Sequence, residues 1–323
     1  MILVVGASGQ LGTLVVQKLT KQGRPVRALV RSGRGVDALT GAELVHGDLR
    51  EPAGLDAALD GVEAVVATAN GVAPTRRGET TAALARGYAG LVDRAAAGGV
   101  RRFVLASVPP SDLDETVPDL RLKRLVERRL AGTGLSHLSL RFAPFTEVWL
   151  ALVGSSVPDR GEVNSTLHRP YPFLARFRRA TGRSVEDRGR LVLPGPADRR
   201  QAFLSVHDAA DVLVAGIDAP LTGVVDVGGP EVLSWTEVAA EFQRVLGRPV
   251  RVVSLPAGAF RAARAALAPV APSVANIMGL NLLMATSETD WDTTATTDAL
   301  GVGPLRTVRQ VLAEKAALPA GQE

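Results

Sequence analysis

The spacing of hydrophobic positions changes period repeatedly along the first 145 residues. Short apolar runs rich in β-branched residues, such as Ile2 to Val5, are typical of strands buried on both faces. Between these runs, apolar residues recur three or four positions apart, which is the helical period. The predicted strands cover 2–5, 26–30, 43–46, 62–68, 102–107 and 135–141, and the predicted helices cover 10–22, 52–59, 80–97 and 120–130.

This alternation predicts the α/β class, with a Rossmann-type doubly wound parallel sheet and helices on both faces. The alternation breaks at 141–145, and a segment rich in Pro, Arg and aromatic residues follows. We therefore predict a dinucleotide-binding domain at 1–145, with 201–230 returning to it. A smaller, mostly C-terminal substrate-binding region is predicted at 146–200 and 231–323, the latter mainly helices and loops. Its apolar stretch 265–285 is compatible with a lid, a dimer contact or ordinary core.

The turn after the first strand has the sequence Gly6-Ala7-Ser8-Gly9-Gln10-Leu11-Gly12. The amide hydrogens of a helix's first turn have no partners within the helix, and the helix dipole is positive there. Glycines let a pyrophosphate approach the backbone closely, so the spacing of Gly6, Gly9 and Gly12 indicates a dinucleotide fingerprint. The alternative is a turn that serves only as a tight connection.

The residue that follows the second strand bears on the choice of coenzyme. NAD-binding fingerprints place an acidic residue about 20 positions after the glycines, where it binds the ribose 2′-hydroxyl. This chain has Arg31 there, 19 positions after Gly12. A guanidinium offers a planar fork for a 2′-phosphate, which favours NADP(H) over NAD(H). The alternative is a solvated arginine in an arginine-rich chain.

Composition narrows the function classes. The chain has no cysteine, which excludes disulfides and cysteine nucleophiles, and its four histidines lack paired ligand spacing, so we expect no metal site. Its arginines are scattered rather than clustered, and we expect no nucleic-acid partner. We also expect no membrane partner and a cytoplasmic location, since the first residues lack a secretory leader and no 18-residue apolar run occurs. The oligomeric state, monomer or homodimer, stays open.

Several segments of the chain resemble the short-chain dehydrogenase/reductase superfamily, as an atypical member on its NmrA-like side. The matching segments are the glycine turn, Gly47-Asp48-Leu49, the strand 102–107 ending at Ser107, Lys123, 140–145, His207-Asp208-Ala209-Ala210 and Gly228-Gly229-Pro230-Glu231. They occur in the family's order over about 300 residues. The resemblance implies a Rossmann fold, a nicotinamide coenzyme and a small-molecule substrate.

The resemblance also implies roles for individual residues. Contacts to the pyrophosphate are expected from Gly6, Ser8, Gly9, Gln10, Leu11 and Gly12, with Arg31 near the 2′-phosphate. Asp48 and Leu49 are expected at the adenine, and Thr68, Ala69 and Asn70 along the ribose region. Lys123 is expected to hold the nicotinamide ribose, and Ser107 to lie beside the nicotinamide.

The chain departs from this superfamily at its catalytic tyrosine. In the usual Tyr-x-x-x-Lys pattern the lysine lowers the pKa of the phenol, which then exchanges a proton with the substrate. Here Asp119 stands four positions before Lys123, and neither Tyr88 nor Tyr171 has a lysine four positions later. The candidate catalytic residues are therefore Lys123, Ser107 and Asp119. The alternatives are a surface Asp119–Lys123 pair and a turn-forming serine.

Aromatic residues after the sixth strand are candidates for a substrate pocket. Phe142, Phe145, Trp149 and Tyr171 are suited to walling a site for a flat apolar molecule, although some of them would equally serve as core.

We therefore expect an NADPH-dependent reductase of a small apolar acceptor such as a quinone, an enone or an iminium. Such acceptors need no positioned phenol, because they delocalise the incoming electrons. The alternatives are a non-catalytic NADP(H)-binding redox sensor and an isomerase or cyclase on the same fold.

Overall fold

A computed structural model describes residues 1–31, 33, 35–51, 54–71, 80–169, 175–176, 179 and 181–319. The chain divides into two compact units. The first comprises Met1–Phe142, His207–Asp226 and Ala295–Gly303. The second comprises Ala143–Val206, Val227–Thr294 and Pro304–Glu323. The predicted boundaries between a coenzyme domain and a substrate region stay a prediction.

The first unit is built on a seven-stranded sheet. Its strands are β1 (Ile2–Val5), β2 (Val26–Val30), β3 (Glu43–His46), β4 (Ala64–Ala67), β5 (Arg102–Ser107), β6 (His137–Phe142) and β9 (Gly223–Val227). They lie in the order β3-β2-β1-β4-β5-β6-β9, and the pairings from β3 to β6 are parallel. The strand order reverses between β1 and β4, where open α/β sheets bind their ligands. The predicted Rossmann-type fold class is confirmed.

Four helices of this unit correspond to the helices predicted from periodicity. They are α1 (Gln10–Lys21), α2 (Leu55–Leu59), α3 (Thr81–Ala97) and α4 (Pro118–Ala131). The unit also contains α7 (Val206–Ala215) and α11 (Thr294–Ala299), each of which starts one residue before the unit boundary. Strands β1 and β4 are buried at every position, as expected of central strands covered on both faces. Leu49, Leu84, Tyr88, Leu91 and Leu105 belong to one buried cluster, so α3 packs directly against this sheet.

The second unit contains helices α5 (Thr146–Leu152), α6 (Ser184–Arg188), α8 (Trp235–Leu246), α9 (Ala257–Leu267), α10 (Pro272–Thr286) and α12 (Val308–Ala316). Ser234 and Glu237 form a capping box at the start of α8, as the Ser-x-x-Glu pattern of the sequence predicts, with both reciprocal hydrogen bonds formed. Met284 of α10 packs into the buried cluster of this unit. Part of the apolar stretch 265–285 is therefore core.

Two small sheets in the second unit differ from the predicted helices and loops. Strand β7 (Arg190–Pro194) pairs in parallel with β11 (Arg251–Leu255), and β8 (Arg200–Gln201) pairs antiparallel with β10 (Leu233–Ser234). Four of the five β11 residues are exposed, so this strand lacks the alternation that marks a strand in a sequence. Its pairing with β7 is a tertiary contact that no local pattern announces.

Among the helices within the described ranges, none combines the length and the apolar character that crossing a bilayer requires.

Candidate functional site

The turn after β1 is packed so tightly that only glycine fits at two of its positions. Gly6 has φ +84°, and a Cβ there would lie 2.6 Å from the Ala69 amide nitrogen. A Cβ on Gly12 would lie 2.2 Å from the Gly6 carbonyl oxygen. Thr68, at the end of β4, joins the two sides because its hydroxyl donates to the Val5 carbonyl at 3.1 Å. The glycine turn and residues 68–69 therefore form one surface at the point where the strand order reverses.

Helix α1 begins at this surface without a side-chain cap. Its N-cap is Gly9, in an extended conformation, and its first turn contains no acidic residue. Lys18 and Lys21 lie in its last turn, where cations complement the helix dipole. The Thr13 hydroxyl donates to the Ala7 carbonyl at 2.9 Å and fixes the turn from inside the helix. This positive helix end with a backbone-lined approach fits the pyrophosphate of a dinucleotide.

The predicted adenine residues lie in the turn after β3. The Asp48 carboxylate accepts hydrogen bonds from the Arg50 backbone amide at 2.9 Å and from the Arg50 guanidinium at 3.3 Å. Leu49 is buried, and its carbonyl oxygen would lie 1.9 Å from a Cβ on Gly87 of α3. Arg31 is exposed directly after β2, the neighbouring strand. These placements are compatible with the predicted adenosine site, and the individual contacts stay predictions.

The loop after β4 is held by three buried polar side chains. The Tyr88 hydroxyl donates to the Ala69 carbonyl at 2.7 Å, and the Lys123 ammonium donates to the same carbonyl at 3.1 Å. Lys123 also donates to the Ala106 carbonyl at 2.8 Å. Asp119 accepts the Gly71 amide hydrogen at 2.6 Å. The structure thus brings Asp119, Lys123 and the predicted ribose-binding loop together.

Burial shifts the ionisation of all three side chains. It lowers the pKa of Lys123 against the opposing charge of Asp119, and it raises the pKa of Asp119 against Lys123 and the Gly71 amide. Burial likewise raises the pKa of Tyr88, and the Asp119 charge adds to that shift. Tyr88 is not among the residues predicted for the site, because its contact with the Ala69 carbonyl joins residues 19 positions apart. A tyrosine within a predicted amphipathic helix is the local signal that the sequence offers.

Ser107, at the end of β5, belongs to a buried charge cluster. Its hydroxyl donates to the Glu127 carboxylate at 2.6 Å, and Arg124 donates to the Ser107 oxygen at 3.4 Å. Arg124 and Arg141 each donate to Glu127 at 2.7 Å. Burial would raise the pKa of Glu127, but the hydrogen bonds from Arg141 and Ser107, with the Arg124 charge, hold that pKa below its ordinary value. Glu127 and Arg124 are not among the predicted site residues, since charged residues on a helix usually face solvent.

The predicted pocket aromatics fall in different parts of the chain. Phe142 is buried at the end of β6 in the first unit. Phe145 and Trp149 belong to the second unit, where Trp149 packs against the buried cluster around Trp235. Tyr171 lies outside the described residues. Their role in a substrate pocket stays a prediction.

These features of the first unit can be compared with known proteins. The sequence profile of the NmrA-like family matches residues 1–279. The chain belongs to the NmrA-like family. The resemblance to the NmrA-like family inferred from its motifs is thereby confirmed.

Curated relatives of this NmrA-like chain carry different names. A Photosystem II assembly factor Ycf39 from Cyanophora paradoxa is 33% identical over 146 residues, or 45% of either chain. An NAD(P)H azoreductase from Xenophilus azovorans is 27% identical over 79% of this chain and 77% of its own length. A (4-alkanoyl-5-oxo-2,5-dihydrofuran-3-yl)methyl phosphate reductase from Streptomyces griseus is 30% identical over 83% of this chain and 82% of its own. The match thus spans less than half of the Ycf39 protein.

Solved structures share the fold over nearly the whole chain. The NADPH-dependent quinone oxidoreductase of Escherichia coli has a TM-score of 0.69 at 23% identity, covering 97% of this chain and 99% of its own. The Citrobacter triphenylmethane reductase complexed with NADP(H) has a TM-score of 0.70 at 19% identity, covering 98% and 100%. At these identities the likeness establishes the fold.

Proposed function

We propose that this NmrA-like protein is an NADP(H)-dependent reductase of small, largely apolar acceptors such as quinones, enones or iminium ions. The observation that carries the proposal is how the polar hydrogens at the carboxyl ends of β4 and β5 are used. Ser107 donates its hydroxyl hydrogen to Glu127, and Tyr88 donates its own to the Ala69 carbonyl. Lys123 gives two of its three hydrogens to backbone carbonyls. The Asp119 oxygen facing the loop serves as an acceptor.

Because these polar hydrogens are donated within the protein, they favour a substrate that accepts a hydride without a proton from a side chain. A bound dihydronicotinamide supplies a hydride, which carries two electrons to the substrate. Reduction of a simple ketone also needs a proton at the carbonyl oxygen in the same step, from a group within hydrogen-bond reach. A quinone or enone instead spreads the incoming negative charge over several atoms, and an iminium is neutralised by the hydride itself. Any remaining proton comes from water, so the protein's task is to orient the two reactants.

The residues present fit a phosphorylated dinucleotide. The backbones of Gly6, Gly12 and Ala69 meet at one point, where a Cβ on either glycine would collide with backbone atoms, and α1 begins there with its positive end. Arg31 would face the 2′-phosphate, and the remaining hydrogen of Lys123 would bind the nicotinamide ribose. Relatives and fold neighbours with NADPH, NADP(H) or NAD(P)H in their names support this choice of coenzyme.

The names of relatives also support the acceptor class. The name of the Streptomyces griseus reductase contains a 5-oxo-2,5-dihydrofuran ring, which has a carbon–carbon double bond conjugated to its carbonyl. The quinone oxidoreductase and the azoreductase are named for quinone and azo acceptors, which are likewise electron-poor conjugated systems. All three kinds of molecule accept a hydride without prior protonation.

NADPH oxidation against a panel of acceptors tests the proposal. We expect turnover with quinones, cyclic enones or iminium dyes, and a turnover number that changes less than about twofold between pH 6 and pH 9, because none of the described side chains at the carboxyl ends of β4 and β5 donates a proton in the chemical step. Simple ketones and aldehydes are the matched controls and should be inert. The proposal would be refuted if the protein reduced only simple ketones, or if no acceptor of the panel supported NADPH oxidation.

A second candidate is a coenzyme-binding protein that acts without turnover, as a redox sensor for a protein partner. It is favoured by the assembly factors among the relatives, which match about half of this chain. Thermal-shift binding of both NADP⁺ and NADPH, without turnover on any acceptor and with a co-purifying protein, would support this candidate over the reductase.

A further inference from the structure

We propose that helix α3 sets the distance between the two halves of the coenzyme site through two adjacent residues, Gly87 and Tyr88. Gly87 positions the turn 47–50, which we assign to the adenosine half. Tyr88 positions the loop 68–71, which we assign to the nicotinamide half. The inference rests on the proposed NADP(H) binding and adds two positioning residues that the glycine turn does not contain.

Gly87 allows direct contact between the backbones of α3 and the turn after β3. A Cβ at this position would lie 1.9 Å from the Leu49 carbonyl oxygen, 2.6 Å from its carbonyl carbon and 3.2 Å from the Arg50 amide nitrogen. All three are backbone atoms, so no side chain can rotate away to make room. Asp48 is fixed to the same turn by its bonds to Arg50. Any side chain at 87 would therefore push the predicted adenine residues outward.

Tyr88 reaches the other loop by a hydrogen bond. Its side chain is fully buried, and its hydroxyl donates to the Ala69 carbonyl at 2.7 Å. Lys123 donates to the same carbonyl, so the phenol and the ammonium share one acceptor. Removing the phenol hydroxyl would leave Lys123 as the sole donor to that carbonyl in the described part of the chain. The position of the lysine would then shift toward Ala69.

The two contacts are coupled because they come from one rigid element. The side chains of successive helix residues point about 100° apart, so Gly87 contacts the turn 47–50 whereas Tyr88 contacts the loop 68–71. Leu84 and Leu91 flank them in the sequence and are buried in the same cluster as Leu49 and Leu105. The helix cannot move toward one loop without moving relative to the other. A dinucleotide that spans both loops therefore depends on the position of α3.

The first test compares Gly87→Ala with Gly90→Ala in the full-length protein. Gly90 lies on the same helix, and a Cβ there would meet only the end of the flexible Arg94 side chain, at 3.2 Å. Calorimetry with NADP⁺ and with adenosine 2′,5′-bisphosphate measures the whole ligand and its adenosine half. We expect Gly87→Ala to weaken both about tenfold or more, a loss of about 1.4 kcal/mol or more, because the turn that carries Asp48 and Leu49 must move away from α3. Gly90→Ala should leave both affinities unchanged.

The second test uses Tyr88→Phe, which keeps the ring in the core. We expect NADP⁺ to bind about three- to tenfold more weakly while adenosine 2′,5′-bisphosphate binds as in the wild type. A purely structural loss would weaken both ligands together, so the split between them identifies positioning. If Gly87→Ala fails to fold, this variant decides the proposal by itself.

The outcomes separate this inference from the proposed function. Equal affinities of Gly87→Ala and Gly90→Ala, or an equal loss of both ligands in Tyr88→Phe, would overturn the role of α3 while leaving coenzyme binding intact. A wild-type protein that binds neither ligand would overturn the coenzyme site itself. Binding without NADPH oxidation would count against the reductase and leave the α3 proposal standing.

Discussion

The two ends of the central sheet are made of the same strands, yet they use polar residues in opposite ways. At the carboxyl ends of β4, β5 and β6, charged side chains are buried and bonded to backbone or to one another, as Lys123 and Glu127 are. At the amino ends, the ion pairs Arg101–Glu63 and Arg24–Asp218 lie at the surface. Buried charges need every partner in place, whereas exposed pairs lose little when separated.

A cavity of about 520 Å³ opens at the amino end, lined by Met1, Arg24, Arg101, Arg102 and Asp218 among others. Its size does not make it a site. Arg102 is buried there, but its guanidinium already donates to the Gly216 and Leu221 carbonyls, and so it satisfies the backbone that follows α7. Under the proposed function, backbone-lined space and buried polar groups with fixed hydrogen-bond partners mark the functional edge of this sheet, whereas cavity volume does not.

The largest expected effect is on the free energy of unfolding, and it comes from the buried charge cluster around Glu127. Glu127→Gln should lower the free energy of unfolding by about 3 kcal/mol at neutral pH, because Arg124 and Arg141 are left without their carboxylate. Glu63→Gln, at the amino end, is the matched control and should change stability little. Urea unfolding of both variants measures the contrast, and equal losses would remove the distinction between the two ends.

The same variant carries a pH signature. The folded-state pKa of Glu127 lies below its ordinary value of 4.5, so its stabilisation is complete above that value and is lost as the pH falls through the folded pKa. The stability gap between wild type and Glu127→Gln should therefore narrow in acid. If the difference in the free energy of unfolding stayed constant down to pH 3, the role assigned to the Glu127 carboxylate in the buried charge cluster would be wrong.

A smaller effect is expected on coenzyme binding from the glycine turn. Gly12→Ala places a methyl group 2.2 Å from the Gly6 carbonyl, so we expect NADP⁺ to bind about 100-fold more weakly, a loss of about 2.7 kcal/mol. Gly134→Ala is the control before β6, where a Cβ meets nothing within 4 Å. Calorimetry that finds the same affinity in both variants would show that the turn does not hold the pyrophosphate.

The smallest effect concerns two arginines at opposite ends of β2. Arg31→Ala should lower the affinity for NADPH about tenfold and leave that for NADH unchanged, since only the former carries a 2′-phosphate. Arg24→Ala should leave both affinities unchanged and lower stability by less than about 1 kcal/mol. Titration of both coenzymes by fluorescence checks the pair, and an equal loss for NADPH and NADH would remove the assigned role of Arg31.

The sequence alone predicts the glycine turn and most elements of the first unit, but not the two small sheets of the second unit. The strands 26–30 and 102–107 are predicted with the bounds that the structure has, because buried strands show their burial in the local pattern of apolar residues. The capping box at Ser234 and the Rossmann order of the sheet follow from equally local rules. The NmrA-like family could also be inferred from the sequence, because its motifs lie in short continuous segments.

Only the tertiary structure decided what the polar residues touch. Glu127 and Tyr88 lie on helices where the sequence gives no sign that Ser107 and the Ala69 carbonyl will be their partners. The steric role of Gly87 depends on a carbonyl 38 positions away, and the pairing of β11 with β7 depends on a strand some 60 positions away. Local periodicity records which face of an element is buried. It does not record which distant atom will lie against that face, and that contact decides the chemistry.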